Sequence, residues 1–195
     1  MALVEDRVND PARRAMIESQ LRVSGVNDLT ILAAFATLAR EDYVPAGARS
    51  VAYMDRAVPL GDGTVLAPAL THGQMLTAAV PTLADITLVI GKPGAYLGAL
   101  ARQLTGNVTI AAPDGDLGSD APYSLILIDG AIEAAPETLA PLLGENGRVI
   151  TGLIERGVAR LAIGRRVGGE LLFTKLGEAD FAALPEFAAK KRWSF

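Results

Sequence analysis

Between residues 11 and 44 the apolar positions recur at three- and four-residue intervals. Met16, Ile17, Leu21 and Val23 form one stripe, and Ile31, Leu32, Phe35 and Leu38 form another. Such spacing collects side chains on one helical face, so two helices are predicted. The first is capped by Asp10 with Pro11 at its first position and ends at Gly25; the second is capped by Asn27. Tyr43-Val44-Pro45 follows as an extended stop. From 46 to 70 the period disappears and Gly, Pro and Asp take over, which predicts a loop laid over the rest of the molecule and available for function. A third helix is predicted from Thr71 or His72 toward Val80, stopped by Pro81.

The second half has a different rhythm. Ile86–Ile90 is continuously apolar, as a strand buried on both faces requires. It runs into Gly91-Lys92-Pro93-Gly94 and a helix from about Ala95 to Leu104. Strands are predicted at Asn107–Ala112, Tyr123–Asp129 and Arg148–Ile154, with a helix near Pro136–Leu143. Val158–Val167 and Glu170–Leu176 read as a hairpin closed by Gly168-Gly169. The expected fold class is α/β: a mostly parallel sheet with an antiparallel C-terminal hairpin and an N-terminal helical extension.

Length and composition narrow this further. At 195 residues the chain suits one domain, spanning 1–195, with a helical N-terminal segment and loop at 1–80 and a sheet core at 81–195. Half of the residues are apolar and the net charge is −4 with both signs interspersed, so neither disorder nor a basic nucleic-acid face is expected. The absence of cysteine excludes disulfides and thiolate chemistry. One histidine, His72, excludes a polyhistidine metal site, and no metal is expected. No apolar window reaches membrane-spanning length, and Met1 to Pro11 lacks a signal-type apolar stretch, so no membrane partner is expected and the cytoplasm is the default compartment.

Three blocks carry a more specific signal. Met16-Ile17-x-x-Gln20-Leu21-Arg22-x-x-Gly25-Val26, then Arg40-Glu41-x-Tyr43-Val44-Pro45, then Ala52-Tyr53-x-Asp55-Arg56-x-x-Pro59-Leu60-Gly61-x-Gly63-Thr64, in this order and spacing, resemble the protein-L-isoaspartate O-methyltransferase family. The similarity extends to about residue 176. It implies a Rossmann-like class I methyltransferase fold with S-adenosylmethionine bound at the carboxyl ends of parallel strands. The implied reaction is methylation of an isoaspartyl carboxylate during protein repair, so a peptide or protein is the implied substrate. Asp55, Arg56 and Thr64 are the implied catalytic-side residues. Gly91, Gly94, Asp114, Gly115 and Asp129 are the implied cofactor contacts.

The chain also departs from that pattern. Val89 stands where the family has an acid at the end of the first strand, Pro93 and Ala95 replace two glycines of the turn, and Leu66 replaces a serine two residues before Pro68. Only ten residues, Pro113 to Pro122, join two strands, which is short for a parallel crossover. A strand–helix unit is therefore expected to be missing. Either the outer unit is lost, or Pro113-Asp114-Gly115 supplies the adenine contact and the ribose-binding strand is lost; Asp114-Gly115 and Leu117-Gly118 favour the latter. Three functional classes follow: a methyltransferase with an altered donor site, a pseudoenzyme keeping a peptide cleft or a homodimer surface, and a Rossmann nucleotide binder. No acid lies near His72 in sequence, which favours a helix-terminal or surface histidine over a general base. Asp129 reads equally as a ligand contact at a strand end and as a turn carboxylate before Gly130. Lys190-Lys191-Arg192-Trp193 reads as a solvated terminus.

Overall fold

The computed structural model describes residues 10–117 and 122–189; Gly118 and the 190–193 tail lie outside them. Helix α1 begins at Pro11, where Asp10 Oδ1 accepts the amide hydrogens of Ala12 at 2.7 Å and Arg13 at 3.3 Å. Its α-helical part, Pro11–Met16, widens into a π turn over Ile17–Leu21 and tightens to a 3-10 turn at Arg22–Ser24. Gly25 then adopts φ 91°, a left-handed stop that glycine tolerates. Helix α2, Leu29–Thr37, is capped by Asp28 and not by Asn27. The Asp28 carboxylate reaches the amides of Thr30 and Ile31 at 2.8 and 3.0 Å, so the cap lies one residue later than expected.

The 46–70 segment is more ordered than its composition predicts. A 3-10 turn at Ala46–Val51 follows another at Arg40–Tyr43. Two short strands, β1 (Val58–Pro59) and β2 (Val65–Leu66), then form an antiparallel hairpin. Helix α3 spans Ala69–Ala79, starting earlier than expected, with Pro68 in extended geometry as its N-cap.

A six-stranded sheet follows, with β3 (Ile86–Ile90), β4 (Asn107–Ala111), β5 (Tyr123–Ile132), β6 (Leu143–Glu155), β7 (Val158–Val167) and β8 (Glu170–Glu178) in the order β4-β3-β5-β6-β7-β8. The pairs β4·β3, β3·β5 and β5·β6 are parallel; β6·β7 and β7·β8 are antiparallel. Helix α4 (Tyr96–Leu104) connects β3 to β4. The expected alternation and terminal hairpin are present. Gly168 and Gly169, at φ 61° and 91°, make the primed turn that their sequence predicted. The helix expected at Pro136–Leu143 shrinks to α5, Leu139–Leu142, because Pro141 lacks a backbone donor. Strand β6 consequently begins at Leu143 and carries Gly144 and Gly147 inside it. Among the described residues nothing pairs beyond β4, so a single strand stands outside β3, as the expected loss of a strand–helix unit implies.

Two apolar layers sandwich the sheet. On one face Val89, Leu125, Leu127 and Ile150 join α4 and the N-terminal helices in one cluster, with Met16, Leu21, Phe35 and Leu76 from the latter. On the other, Leu88, Ile90, Ile126 and Ile128 pack with Leu139 of α5 and Phe187. After β8 the chain returns to the end of β5, where Ala131 donates to Ala182 O and Leu184 donates to Ala131 O, each at 2.8 Å. Among the described residues no helix is long and apolar enough to cross a membrane.

Candidate functional site

The carboxyl ends of β3 and β5 define the site. Strand β3 passes into the turn Gly91–Ala95, where Gly94 takes φ 80° and Ala95 donates to Lys92 O at 3.0 Å before α4 begins. Asp129 projects from the neighbouring strand. Strand β5 runs on to Ile132, so Asp129 is neither a terminal nor a turn residue. It sits in an irregularity, between Leu127 and Ala131, where pairing with β6 shifts register, and such bulges re-aim side chains. A Cβ on Gly91 would lie 2.9 Å from the Cβ of Asp129, so the first glycine of the turn leaves room for this side chain.

Asp129 meets His72. The histidine is fully buried on α3, and its Nε2 lies 2.9 Å from Asp129 Oδ1. An ionised carboxylate only accepts, so Nε2 carries the proton and donates. The expectation of a helix-terminal or surface histidine is thereby overturned. Its orienting acid comes from a strand 57 positions away, which local spacing does not reveal. The His72 ring stands 6.0 Å from that of Tyr96, whose own ring lies 5.2 Å from the Arg40 guanidinium carbon.

Arg40 was legible only as part of a family block, and the structure gives it a different weight. It is completely buried; Nε donates to Ala52 O at 2.7 Å and an Nη nitrogen donates to Ala67 O. Burial pushes its guanidinium down to about 10, against the opposing influence of Tyr96, Asp129 and Tyr53. Burial likewise raises the Tyr96 phenol, with Arg40 acting in the other direction. Arg40 Nη1, His72 Nδ1 and Tyr96 Oη are buried without a hydrogen-bond partner among the described residues. A second buried arginine, Arg13, donates to Tyr53 Oη at 2.9 Å and Ala36 O at 2.9 Å. Tyr53 in turn donates to Glu41. The two arginines thus tie the 52–67 segment to the helices.

The remaining expected residues separate into groups. Thr64 leads into β2 and donates from N and Oγ1 to Asp62 Oδ1, at 3.0 and 2.5 Å. The other oxygen of Asp62 accepts from Lys92 Nζ in the β3–α4 turn, so the hairpin tip and the turn meet. Between them is a cavity of about 220 Å³ lined by Tyr43, Val44, Pro45, Leu60 and Lys92–Ala95. Asp55 and Arg56 occupy the exposed bend before β1. Asp114 is exposed and Gly115 donates to Ala112 O at 3.0 Å, in the loop after β4. The chain therefore brings together Gly91 with Asp129 and, through Asp62, links Thr64 to the turn. Sequence reasoning missed Lys92, Asp62 and Arg40 as site residues. A lysine inside a glycine turn was the one available signal. Among the described residues no cluster of His, Asp and Glu could hold a metal ion.

No protein-family model matches the chain. It is 30% identical to the protein-L-isoaspartate O-methyltransferase of Koribacter versatilis, over 88% of this chain and 90% of that one. It is 29% identical to that of Roseiflexus castenholzii, over 88% and 91%. Among solved structures, a protein-L-isoaspartate O-methyltransferase superimposes with a TM-score of 0.75 at 18% identity, over 90% of this chain and 67% of that one. A Plasmodium falciparum protein assigned the same activity, in complex with S-adenosyl-L-homocysteine, superimposes with a TM-score of 0.73 at 16% identity, over 91% and 100%. The structural matches bear out the Rossmann-like methyltransferase fold, and the sequence match to Koribacter versatilis carries the kinship: the chain belongs to the protein-L-isoaspartate O-methyltransferase family.

Proposed function

We propose that this protein is a protein-L-isoaspartate O-methyltransferase-like protein that receives an isoaspartyl peptide carboxylate between the β1–β2 hairpin and the β3–α4 turn, with S-adenosylmethionine as donor. The observation that carries the reading is the junction of Asp62 with Lys92, which sets the acceptor-side hairpin against the donor-side turn. Methyl transfer depends on holding those two sides in line. We place the protein in the cytoplasm, acting on peptides or proteins and not on nucleic acid or membranes.

The residues present do not fit the donor in the manner that the family pattern implies. Val89, at the acid's position, is 2% exposed and packs into the helical core. Pro93 has no N–H to offer, and β4 ends in Ala111 without an acid. The cavity at the turn, about 220 Å³, is below the roughly 300–1,000 Å³ of pockets that enclose a ligand of this size. Each missing charge-assisted hydrogen bond costs about 1.5–3 kcal/mol, tenfold or more in affinity.

Titration calorimetry with S-adenosylmethionine and S-adenosylhomocysteine, followed by methylation of an isoaspartyl peptide, tests this reading. The expected result is a Kd near the millimolar range and slow methylation of the isoaspartyl peptide alone. No methylation at millimolar donor would overturn it. A second reading, a pseudoenzyme that binds peptides without methylating them, is favoured by the engagement of the Asp129 carboxylate by buried His72.

A further inference from the structure

We propose that Lys92 and Thr64 form a carboxylate-binding site, and that Asp62 is its built-in occupant, displaced by the carboxylate of the substrate. The proposal rests on the isoaspartyl-peptide reading above and names the residues that recognise the acid. One carboxylate of the chain itself already displays the geometry. Asp62 Oδ2 accepts from the Lys92 ammonium, while Oδ1 accepts from Thr64 N at 3.0 Å and Thr64 Oγ1 at 2.5 Å. A cation with two neutral donors is what a free carboxylate requires when it leaves water. The same contacts, Lys92 foremost and then Thr64, hold the Asp62 carboxyl well below the usual carboxylate range.

Two features make Asp62 replaceable. Its side chain and that of Lys92 remain 44% and 46% exposed, and ion pairs so open to solvent contribute little stability. Asp62 is also flanked by Gly61 and Gly63, each at φ 86°, where a Cβ would meet nothing within 4 Å among the described residues. The hairpin tip can therefore swing without displacing packed atoms. Beneath it, the cavity bounded by Tyr43, Val44, Pro45 and Leu60 is of side-chain dimensions and has Lys92 at its rim. Leu66, buried in the core, cannot donate a hydrogen bond where the family pattern has a serine, and Lys92 supplies a charged donor from the β3–α4 turn. Lys92 is thus a substrate-recognition residue, and Asp62 an internal competitor.

The test is calorimetric binding of two short peptides, acetylated and amidated at their ends, to the full chain. One carries an isoaspartyl residue with its free carboxylate, and the other carries the same residue as the neutral amide. Lys92→Met is expected to weaken binding of the acid peptide about tenfold, and Lys92→Arg to restore most of it. Asp62→Asn, which vacates the ammonium without changing shape, is expected to tighten it severalfold. None of the three alters binding of the amide peptide, a pattern that a purely structural role would not give. If the wild type binds the acid peptide and both Lys92→Met and Asp62→Asn leave it unchanged, the inference is wrong while the proposed function stands. Weaker binding by Asp62→Asn overturns the role of internal competitor. If neither wild type nor Asp62→Asn binds the acid peptide, both the inference and the substrate reading fall.

Discussion

His72 shows what a residue's surroundings add to its identity. Local spacing offers it no acid, and a surface position is the economical reading of one histidine on a short helix. The register shift in β5 delivers Asp129 to it across the sheet end. His72→Ala is therefore expected to destabilise the fold by about 2–4 kcal/mol, through a cavity and an orphaned carboxylate. Asp129→Asn retains an acceptor oxygen and is expected to cost about 1 kcal/mol or less. Urea unfolding of the two variants distinguishes them, and equal losses would deny the bond its weight. Arg40 was obscure for another reason. Its acceptors are the backbone carbonyls of Ala52 and Ala67, and every residue has a carbonyl, so nothing in the sequence marks these two. Gly91 and Asp129, by contrast, were both marked by the family resemblance, although their direct approach shows only in the fold. Lys92 and Asp62 lie 30 positions apart, and their meeting depends on how the hairpin folds back.

At the scale of elements, legibility followed the strength of the local signal. Ile86–Ile90 and the Gly168-Gly169 hairpin were readable because continuous apolarity and paired glycines each have one common structural solution. The α5–β6 boundary was not, because the apolar run Leu139–Leu143 suits either element and carries no stop signal at its end. The C-terminus of α3 is a place where sequence and geometry conflict. Val80 adopts φ 47°, a left-handed conformation that opposes a β-branched side chain, and it is 69% exposed. Val80→Gly should relieve about 1 kcal/mol of strain. In a chain of this size that raises Tm by roughly 2–4 °C. An unchanged or lowered Tm in a calorimetric scan would contradict the strain.

Across the whole molecule, the amino-terminal edge of the sheet is fastened by a polar network around Asp85. Arg148 of β6 donates to both carboxylate oxygens of Asp85, at 3.0 and 2.9 Å. Ser124 Oγ donates to the same carboxylate at 2.6 Å, and Thr82 N at 2.8 Å. Burial pushes the Asp85 carboxyl up, but these donors outweigh it and hold the group well below the usual carboxylate range. A carboxyl depressed in the folded state contributes stability above its unfolded value, near pH 4, and loses it as pH falls toward the folded value. Asp85→Asn should therefore cost about 3 kcal/mol at pH 7. It should also flatten the loss of stability between about pH 4 and pH 2 relative to wild type. Acid titrations in urea check this, and parallel pH profiles would remove Asp85 from the account.

Arg148 also donates to Ala79 O and Val80 O, the carbonyls that end α3. This arginine is made 69 residues after the helix that it caps. At ribosomal rates of about 5–20 residues per second, that interval lasts roughly 3–14 s. The helices at the start of the chain bury their apolar faces against the sheet and share its core. They therefore leave the ribosome without the surface that they need. During those seconds the nascent chain carries Met16, Leu21, Phe35 and Leu76 without the sheet residues that cover them in the finished fold, and exposed apolar surface of this kind favours aggregation until β6 has been synthesised.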